Sequence, residues 1–350
     1  MKKRILIIRL SGIGDVIETL PVLSALRKAM PEAYIAWLVS EKACGILKDN
    51  PYLDEILVLK KGARNYVSSA REIAGKRFDI VLDPQSQFRS GVLALLSGAG
   101  KRIGFARGVS KEPNSIFMNE RVKPLATDVH VVDRDLSLLN ALGVKSEKIE
   151  FKIEIRPEEK TYVDAFLGEK GLPGNKRLVG LCLAGSMRNK KWPNEKWAEL
   201  AERVRDVRNL VPLLIWGPRE YAAVEEIMKL SQASPVIAPP THLKQLADLL
   251  SRCSIVVSND SGPMHLSVAM GTPTIGLHGP SDPLVNGPYR NWSISVMGER
   301  IGALDCYAPE KRKLRCRKFR KCGRNECMSL ISPEEVFKKV WDILYAEKNR

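Results

Sequence analysis

Ile255-Val-Val-Ser-Asn-Asp-Ser-Gly-Pro-Met-His-Leu-Ser-Val-Ala-Met-Gly271, followed by Thr274-Ile-Gly-Leu277, decides the fold. Three β-branched apolar residues read as a buried strand that ends at Ser258-Asn259. Asp260 and Ser261 are good N-cap residues, and Pro263 suits a first helical turn. Gly271 can close that helix in a left-handed conformation. Residues 274–277 are again a short apolar strand. Strand, helix, strand in so few residues is a parallel crossover unit, the building block of a doubly wound α/β sheet. The exposed amides and dipole at such a helix start favour an anion. Gly262 lets a ligand approach the backbone. The Asp260 carboxylate would repel a phosphate, so it is expected to hold the loop or meet a sugar hydroxyl. The plainer reading is helix capping with a buried His265.

The same rhythm extends outward over both halves. In the first half, strands are expected at 4–10, 34–39, 55–59, 78–82 and 101–105, with helices at 16–30, 66–75, 90–97 and 129–142. Residues 106–128, with Pro113 and Pro124, read as an irregular loop. In the second half, strands are expected at 178–183, 210–216, 236–238, 255–257 and 274–277. Helices alternate with them at 157–168, 194–207, 221–230, 243–251 and 263–270. The turn-rich Gly171-Leu-Pro-Gly-Asn-Lys176 marks the boundary. The expected organisation is therefore α/β, with two Rossmann-like domains at 1–160 and 171–331. A C-terminal helix over 332–350 follows, with the first domain as its candidate packing surface.

Bulk properties agree. At 350 residues the chain is long for one core. An apolar fraction of 44% and a charged fraction of 27% are those of a globular protein. The net charge of +16 predicts attraction to something acidic: nucleic acid, an anionic membrane or a phosphorylated substrate. A lysine-rich solvated surface accounts for it as well. Spanning a bilayer takes about 20 mostly apolar residues, and no stretch supplies them. The N-terminus resembles a signal peptide until Arg9, Asp15 and Glu18 interrupt it, so a buried first strand is the better reading. The expected place of the protein is the cytoplasm.

Three further stretches follow strands of these sheets, where ligands of open parallel sheets bind. Ser11-Gly-Ile-Gly-Asp15 lacks the third glycine of a dinucleotide fingerprint. It does place a carboxylate, Asp15, on a tight turn, where it can act as a general base or simply cap a helix. Ala184-Gly-Ser-Met-Arg-Asn-Lys-Lys-Trp-Pro193 carries Lys190, which can neutralise a leaving phosphate or belong to a solvated basic loop. Trp216-Gly-Pro-Arg-Glu220 ends in a glutamate that can hold ribose hydroxyls or favour the next helix start.

The seven cysteines divide. Cys44, Cys182 and Cys253 read as reduced core residues. Cys306, Cys316, Cys322 and Cys327 cluster in a basic run and are candidate ligands of a structural zinc. Their spacing has no Cys-x2-Cys pair, so a disulfide or packed reduced thiols are the alternatives.

Taken in order, five stretches resemble glycosyltransferase family 9, the lipopolysaccharide heptosyltransferases. They are Leu10-Ser-Gly-Ile-Gly-Asp-Val-Ile-Glu-Thr-Leu-Pro21, Asp79-Ile-Val-Leu-Asp-Pro-Gln-Ser-Gln-Phe-Arg-Ser90, Lys190-Lys-Trp-Pro193, Trp216 to Glu220, and Asn259-Asp-Ser-Gly-Pro-Met-His265 with Gly279-Pro-Ser-Asp-Pro283. The resemblance implies a GT-B fold, an acceptor-binding first domain and a nucleotide-sugar-binding second domain that face a central cleft. It implies inverting transfer of heptose from ADP-heptose to the lipopolysaccharide inner core, without a required cofactor. Asp15 matches the general base and Lys190 the lysine facing the donor diphosphate. Ser186, Glu220, Asp260, Ser261, Gly262, His265, Gly12 and Gly14 match donor-binding positions. Gly185 and Met187 carry no second hydroxyl next to Ser186. Arg89 and Lys111 match acceptor-binding positions, and the 83–90 stretch looks most like the enzyme that adds the first heptose, to Kdo; a heptosylated core is the other acceptor. Ser86 and Arg89 stand where the family often has Gly and Lys. The expected partners are ADP-heptose, the inner-core acceptor and the anionic cytoplasmic face of the inner membrane, as a peripheral protein. No nucleic acid is expected.

Two readings from other classes compete on residues alone. A zinc-containing nucleic-acid-binding protein fits the charge and cysteines but lacks aromatic interleaving. A nicotinamide oxidoreductase fits the α/β rhythm but not the incomplete glycine fingerprint. Within the family, another nucleotide sugar or acceptor is a further alternative.

Overall fold

A computed structural model of the chain describes residues 2–109, 112–124, 129–146, 148–172, 174–185, 187–289, 294–298, 322 and 326–345, and residues 307–310 and 313–316 as backbone. It divides into two units, Met1–Glu154 and Ile155–Arg350.

The first unit runs β1 (Arg4–Ile8), α1 (Ile13–Ala29), β2 (Tyr34–Ser40), β3 (Glu55–Leu59), α2 (Ala63–Gly75), β4 (Ile80–Leu82), α3 (Phe88–Leu96), β5 (Lys101–Phe105), β6 (Glu120–Val122) and α4 (Val131–Leu136). Its six strands are all parallel, in the order β3-β2-β1-β4-β5-β6. The isoleucines and leucines of β1 are wholly buried, as a central parallel strand covered on both faces requires. Residues 16–26 of α1 are buried too, Glu18 and Thr19 among them. That helix starts at Gly12, whose φ of +84° favours glycine.

The second unit runs α5 (Pro157–Glu169), β7 (Arg177–Cys182), α6 (Asn194–Arg205), β8 (Leu210–Ile215), α7 (Tyr221–Leu230), β9 (Val236–Ile237), α8 (Leu243–Ser251), β10 (Ile255–Asn259), α9 (Gly262–Ala269), β11 (Thr274–Leu277), α10 (Pro283–Asn286), β12 (Ile294–Val296), the antiparallel hairpin β13 (Tyr307–Glu310) and β14 (Lys313–Cys316), α11 (Glu326–Ser329) and α12 (Pro333–Tyr345). Its sheet is again parallel and six-stranded, in the order β12-β11-β10-β7-β8-β9. Trp192 and Trp197 pack edge to face in its core, centroids 4.9 Å apart.

Two expectations about organisation need correction. The division falls at 154/155, before α5, not in the 171–176 stretch. Helix α5 packs on α8, and its Tyr162 hydroxyl donates to the carbonyl of Pro240, so the helix that precedes the 171–176 stretch already belongs to the second unit. Helix α12 packs on α6, with Val336 and Val340 in the second unit's core. The second unit is therefore the packing surface of the C-terminal helix.

Candidate active site

Each sheet reverses its winding direction once. In the first, β1 and β4 are neighbours and the chain moves outward from them on opposite sides; in the second, β7 and β10 are. A crevice opens at such a switch point, at the carboxyl ends of the two strands. The loops that follow these four strands hold most of the candidate residues.

At the first switch point, the loop after β1 carries Arg9, Gly12 and Asp15. Arg9 is buried, and its Nη2 lies 3.2 Å from Asp15 Oδ1 and 3.6 Å from Asp135 Oδ2. Its Nη1 donates to the Pro84 carbonyl at 2.5 Å, which ties the loop after β1 to the loop after β4. Burial disfavours the guanidinium charge, but Asp135, Asp15, Glu18 and Asp83 outweigh it and keep Arg9 more firmly protonated than usual. The Asp15 carboxylate is half-exposed and folds back over Gly12: a Cβ on Gly12 would sit 2.0 Å from Asp15 Oδ2. Gly14 is buried in the first turn of α1. Beneath Asp15, Glu18 is pushed well above the ordinary carboxylate range by burial and by the Asp15 charge, against the pull of Arg9. Asp135 is fully buried and takes hydrogen bonds from Thr19 Oγ1 at 2.9 Å and Arg134 Nη2 at 2.9 Å. Asp135 thus serves the Arg9 cluster.

The loop after β4 completes this edge. Gln85 Oε1 accepts from the amides of Leu10 and Ser11 at 2.7 and 3.2 Å. Asp83 is fully buried and accepts from Ser90 Oγ, Asn114 Nδ2 and the Ser86 amide. Burial pushes its carboxyl up to about 6, against those hydrogen bonds and the charge of Arg9. Ser86 adopts φ +57°, the left-handed region that explains a glycine preference there. Arg89 is exposed, and its Nη2 donates to Ser11 Oγ at 3.3 Å, beside the Asp15 loop. Lys111 lies outside the described residues.

At the second switch point, Lys190 Nζ lies 2.6 Å from Asp260 Oδ2, joining the loop after β7 to the loop after β10. The Ser281 hydroxyl donates to the same oxygen, and His278 Nδ1 is 3.4 Å from Ser281 Oγ. Burial raises the Asp260 carboxyl, but His278, Lys190 and Ser281 outweigh it and hold it below the usual carboxylate range. Next door, Lys191 Nζ meets the buried Glu220 at 3.0 Å. Asn259 bridges the same loops: its Oδ1 accepts from the Trp192 amide and its Nδ2 donates to the Leu183 carbonyl, both at 3.0 Å. Ser261 occupies the N-cap position of α9, but its side chain makes no cap hydrogen bond; Ser258 Oγ lies 3.4 Å away. The expected capping role is therefore not what Ser261 does. Gly262 opens α9, and His265 is buried within it. Ser186 lies outside the described residues.

The structure thus gathers Lys190, Asp260, Ser261, Gly262 and Glu220 along one sheet edge, and Gly12, Gly14, Asp15 and Arg89 along the other. Asp83, Gln85, Lys191, Asn259 and Ser281 lie in the quoted stretches without an assigned role, and Arg9 and His278 lie outside them. Arg9 breaks the apolar run at the end of β1, and a lone charge in a buried strand end is itself a signal for a paired group.

Of the four clustered cysteines, Cys306 lies outside the described residues and Cys316 is described as backbone, so a metal site there is not delineated. Cys322 is half-buried and Cys327 buried. Cys44, Cys182 and Cys253 form no disulfide.

Comparison with known proteins adds to this geometry. The sequence profile of glycosyltransferase family 9 (heptosyltransferase) matches residues 66–315, well over half of the chain. The chain belongs to glycosyltransferase family 9. It is 32% identical over 295 residues to the lipopolysaccharide core heptosyltransferase OpsX of Haemophilus influenzae, covering 83% of this chain and 82% of that one. It is 26% identical over 301 residues to lipopolysaccharide heptosyltransferase 1 of Escherichia coli K12, covering 82% and 91%. A solved family 9 structure from Veillonella parvula superposes with a TM-score of 0.81 at 28% identity, over 98% of this chain and 97% of that one. The E. coli heptosyltransferase WaaC with ADP superposes with a TM-score of 0.73 at 23% identity, over 97% and 99%. The family 9 protein is thus a glycosyltransferase of GT-B fold. Membership overrides the nucleic-acid and oxidoreductase readings.

Proposed function

We propose that the enzyme transfers heptose from ADP-heptose to the inner core of lipopolysaccharide, with inversion and with Asp15 as the general base. The observation that carries this reading is the Lys190–Asp260 pair at the second switch point, beside the start of α9. It puts a lysine and helix-start amides where an open sheet binds an anionic ligand. Solved relatives hold ADP and ADP-2-deoxy-2-fluoro heptose.

The chemistry is a single displacement. The acceptor hydroxyl oxygen attacks the anomeric carbon from the face opposite the diphosphate. Its proton passes to the Asp15 carboxylate as the bond between the anomeric carbon and the phosphate oxygen breaks. The ADP leaving group gains charge, which Lys190 and the first-turn amides of α9 stabilise. Ser186 adds a hydroxyl to the phosphates, and Glu220 holds the donor's ribose. Asp260 keeps Lys190 in place until the diphosphate arrives. Gly12 gives the Asp15 carboxylate its room. Arg89 and Lys111 receive an anionic acceptor, the Kdo sugar of Kdo-lipid A or the phosphates around it. The enzyme works at the cytoplasmic face of the inner membrane. No helix among the described residues is long and apolar enough to cross a membrane.

Turnover of ADP-heptose with Kdo-lipid A, compared with a heptosylated core acceptor, tests the reading. Product with Kdo-lipid A alone supports the first-heptose assignment. Product with the heptosylated core alone moves the acceptor one sugar outward. Absence of transfer to either acceptor sinks the proposal.

A further inference from the structure

The outer face of α3 is apolar and exposed. This helix buries Ser90, Gly91, Leu93 and Ala94 against the first sheet. Its other side carries Phe88, Val92, Leu95 and Leu96, which follow at i, i+4, i+7 and i+8 and so share one helical face. Phe88, Leu95 and Leu96 are 47%, 46% and 49% exposed, and Ile116, in the adjoining turn Asn114–Phe117, is 63% exposed. Phe88 meets Phe117 edge-on with centroids 5.2 Å apart, so helix and turn form one surface. Helix α2 packs alongside, and its Tyr66 hydroxyl donates to the Arg89 carbonyl. Its own Val67 is 48% exposed. A helix apolar on all sides belongs inside a protein, and contiguous exposed apolar surface marks a docking face.

The exposed charges of these elements are mostly basic. Arg64 and Arg71 stand at i−3 and i+4 from Val67 on the exposed side of α2, Lys61 precedes that helix, and Arg89 is exposed on α3. Exposed Arg121 donates from Nε to the carbonyls of Ser115 and Met118, beside Ile116. The acidic groups on the same elements are Glu72, Glu120 and Glu112, the last accepting the Phe88 amide at 2.6 Å. Cations outnumber carboxylates there, as they do in the whole chain at +16.

We infer that this face docks the protein on an anionic lipid bilayer. Phe88, Leu95, Leu96 and Ile116 enter the boundary between headgroups and acyl chains, and the arginines meet headgroup phosphates. A second copy is the poorer occupant, because a twofold contact would press one mostly basic set of charges against the other. The inference extends the proposed function by naming the surface that meets the membrane. It rests on that reading only for the lipid-linked acceptor, since Arg89 links this face to the Ser11–Asp15 loop. Its test is a binding measurement without turnover, so failure of one leaves the other standing.

The probe is vesicles of phosphatidylethanolamine with phosphatidylglycerol, against vesicles of phosphatidylcholine alone, in a sedimentation assay. The protein is expected to partition onto the anionic vesicles, less strongly as salt rises. The triple variant Leu95→Ser, Leu96→Ser, Ile116→Ser is expected to lose about tenfold or more of that partitioning, with its circular dichroism melt kept because all three side chains are exposed. A second variant, Arg64→Gln with Arg71→Gln, guards against misfolding of the first and should lower binding at low salt. Leu230→Ser, exposed on the second unit, should leave binding unchanged. Wild-type binding by both multiple variants, or equal binding to phosphatidylcholine, overturns the inference. So does a wild-type dimer in light scattering that the triple variant converts to monomer, which would assign the face to a second copy.

Discussion

Lys190 Nζ and Asp260 Oδ2 lie 2.6 Å apart, although 70 residues separate them in the chain. Both groups are largely buried, so the lysine waits in the crevice already paired. An incoming diphosphate must share or replace that partner. Hydrogen bonds to charged groups are worth about 1.5–3 kcal/mol, so Lys190→Met should weaken ADP binding by about ten- to a hundredfold. Isothermal titration with ADP measures it. Unchanged affinity would remove Lys190 from the donor site.

Arg9 is a buried cation that faces the buried Asp135 and Glu18 and the half-exposed Asp15. Breaking a buried ion pair from one side typically destabilises by about 3–5 kcal/mol. Arg9→Met should therefore lower the melting temperature markedly, and Arg9→Lys should recover part of it. The same variants should lower kcat, while ADP affinity stays near wild type. A wild-type melt for Arg9→Met would show that the cluster holds without its cation.

Gly12 and Asp15 share one small volume. Gly12→Ala introduces a Cβ 2.0 Å from the carboxylate, at a backbone φ of +84°. The carboxylate must swing away from its place. A misplaced general base forfeits most of a contribution of about 10²–10⁴-fold, so kcat should fall by about a hundredfold or more. ADP binding should be kept. A variant with wild-type kcat would mean that Asp15 does not move the acceptor proton.

Asp83 makes stability depend on pH. Its carboxyl titrates at about 6 in the folded protein and near 3.8 when exposed. Between those values the folded chain keeps a proton that the unfolded chain has lost, so stability falls as pH rises through that window. A difference of that size corresponds to about 3 kcal/mol. The buried Glu18, also raised, acts with the same sign. Asp83→Asn should flatten the pH dependence between about pH 4 and pH 6, whatever it does to absolute stability. Urea unfolding at several pH values checks it, and an unaltered slope in the variant would rule Asp83 out as its source.

Much of the fold could be read from local patterns. Strands β3, β5 and β11 and helices α7 and α8 occur where the sequence puts them, because each is a short apolar run or an amphipathic stretch with clear ends. Strands β6 and β12 could not be read so. Glu120-Arg-Val122 has no apolar pattern, since a three-residue edge strand takes its shape from pairing with β5. The domain boundary was misplaced for a related reason: Gly and Pro at 171–174 announce a turn, and whether that turn separates units depends on where α5 packs. In the candidate site, residues on glycine turns after strands were legible. Their partners were not. Arg9 meets Asp135 and Lys190 meets Asp260 only because the strand order makes β1 and β4, or β7 and β10, neighbours.

Each unit is one unbroken length of chain, and the final helix packs with the second. This order has a meaning during synthesis. At about 5–20 residues per second, residues 155–350 take roughly 10–40 s to make. All six strands of the first sheet, and the Arg9 cluster, are out of the ribosome well before the second sheet can close. The acidic pocket under Asp15 therefore has time to assemble on the nascent chain, from residues made within the first 135 positions, before its partner unit exists.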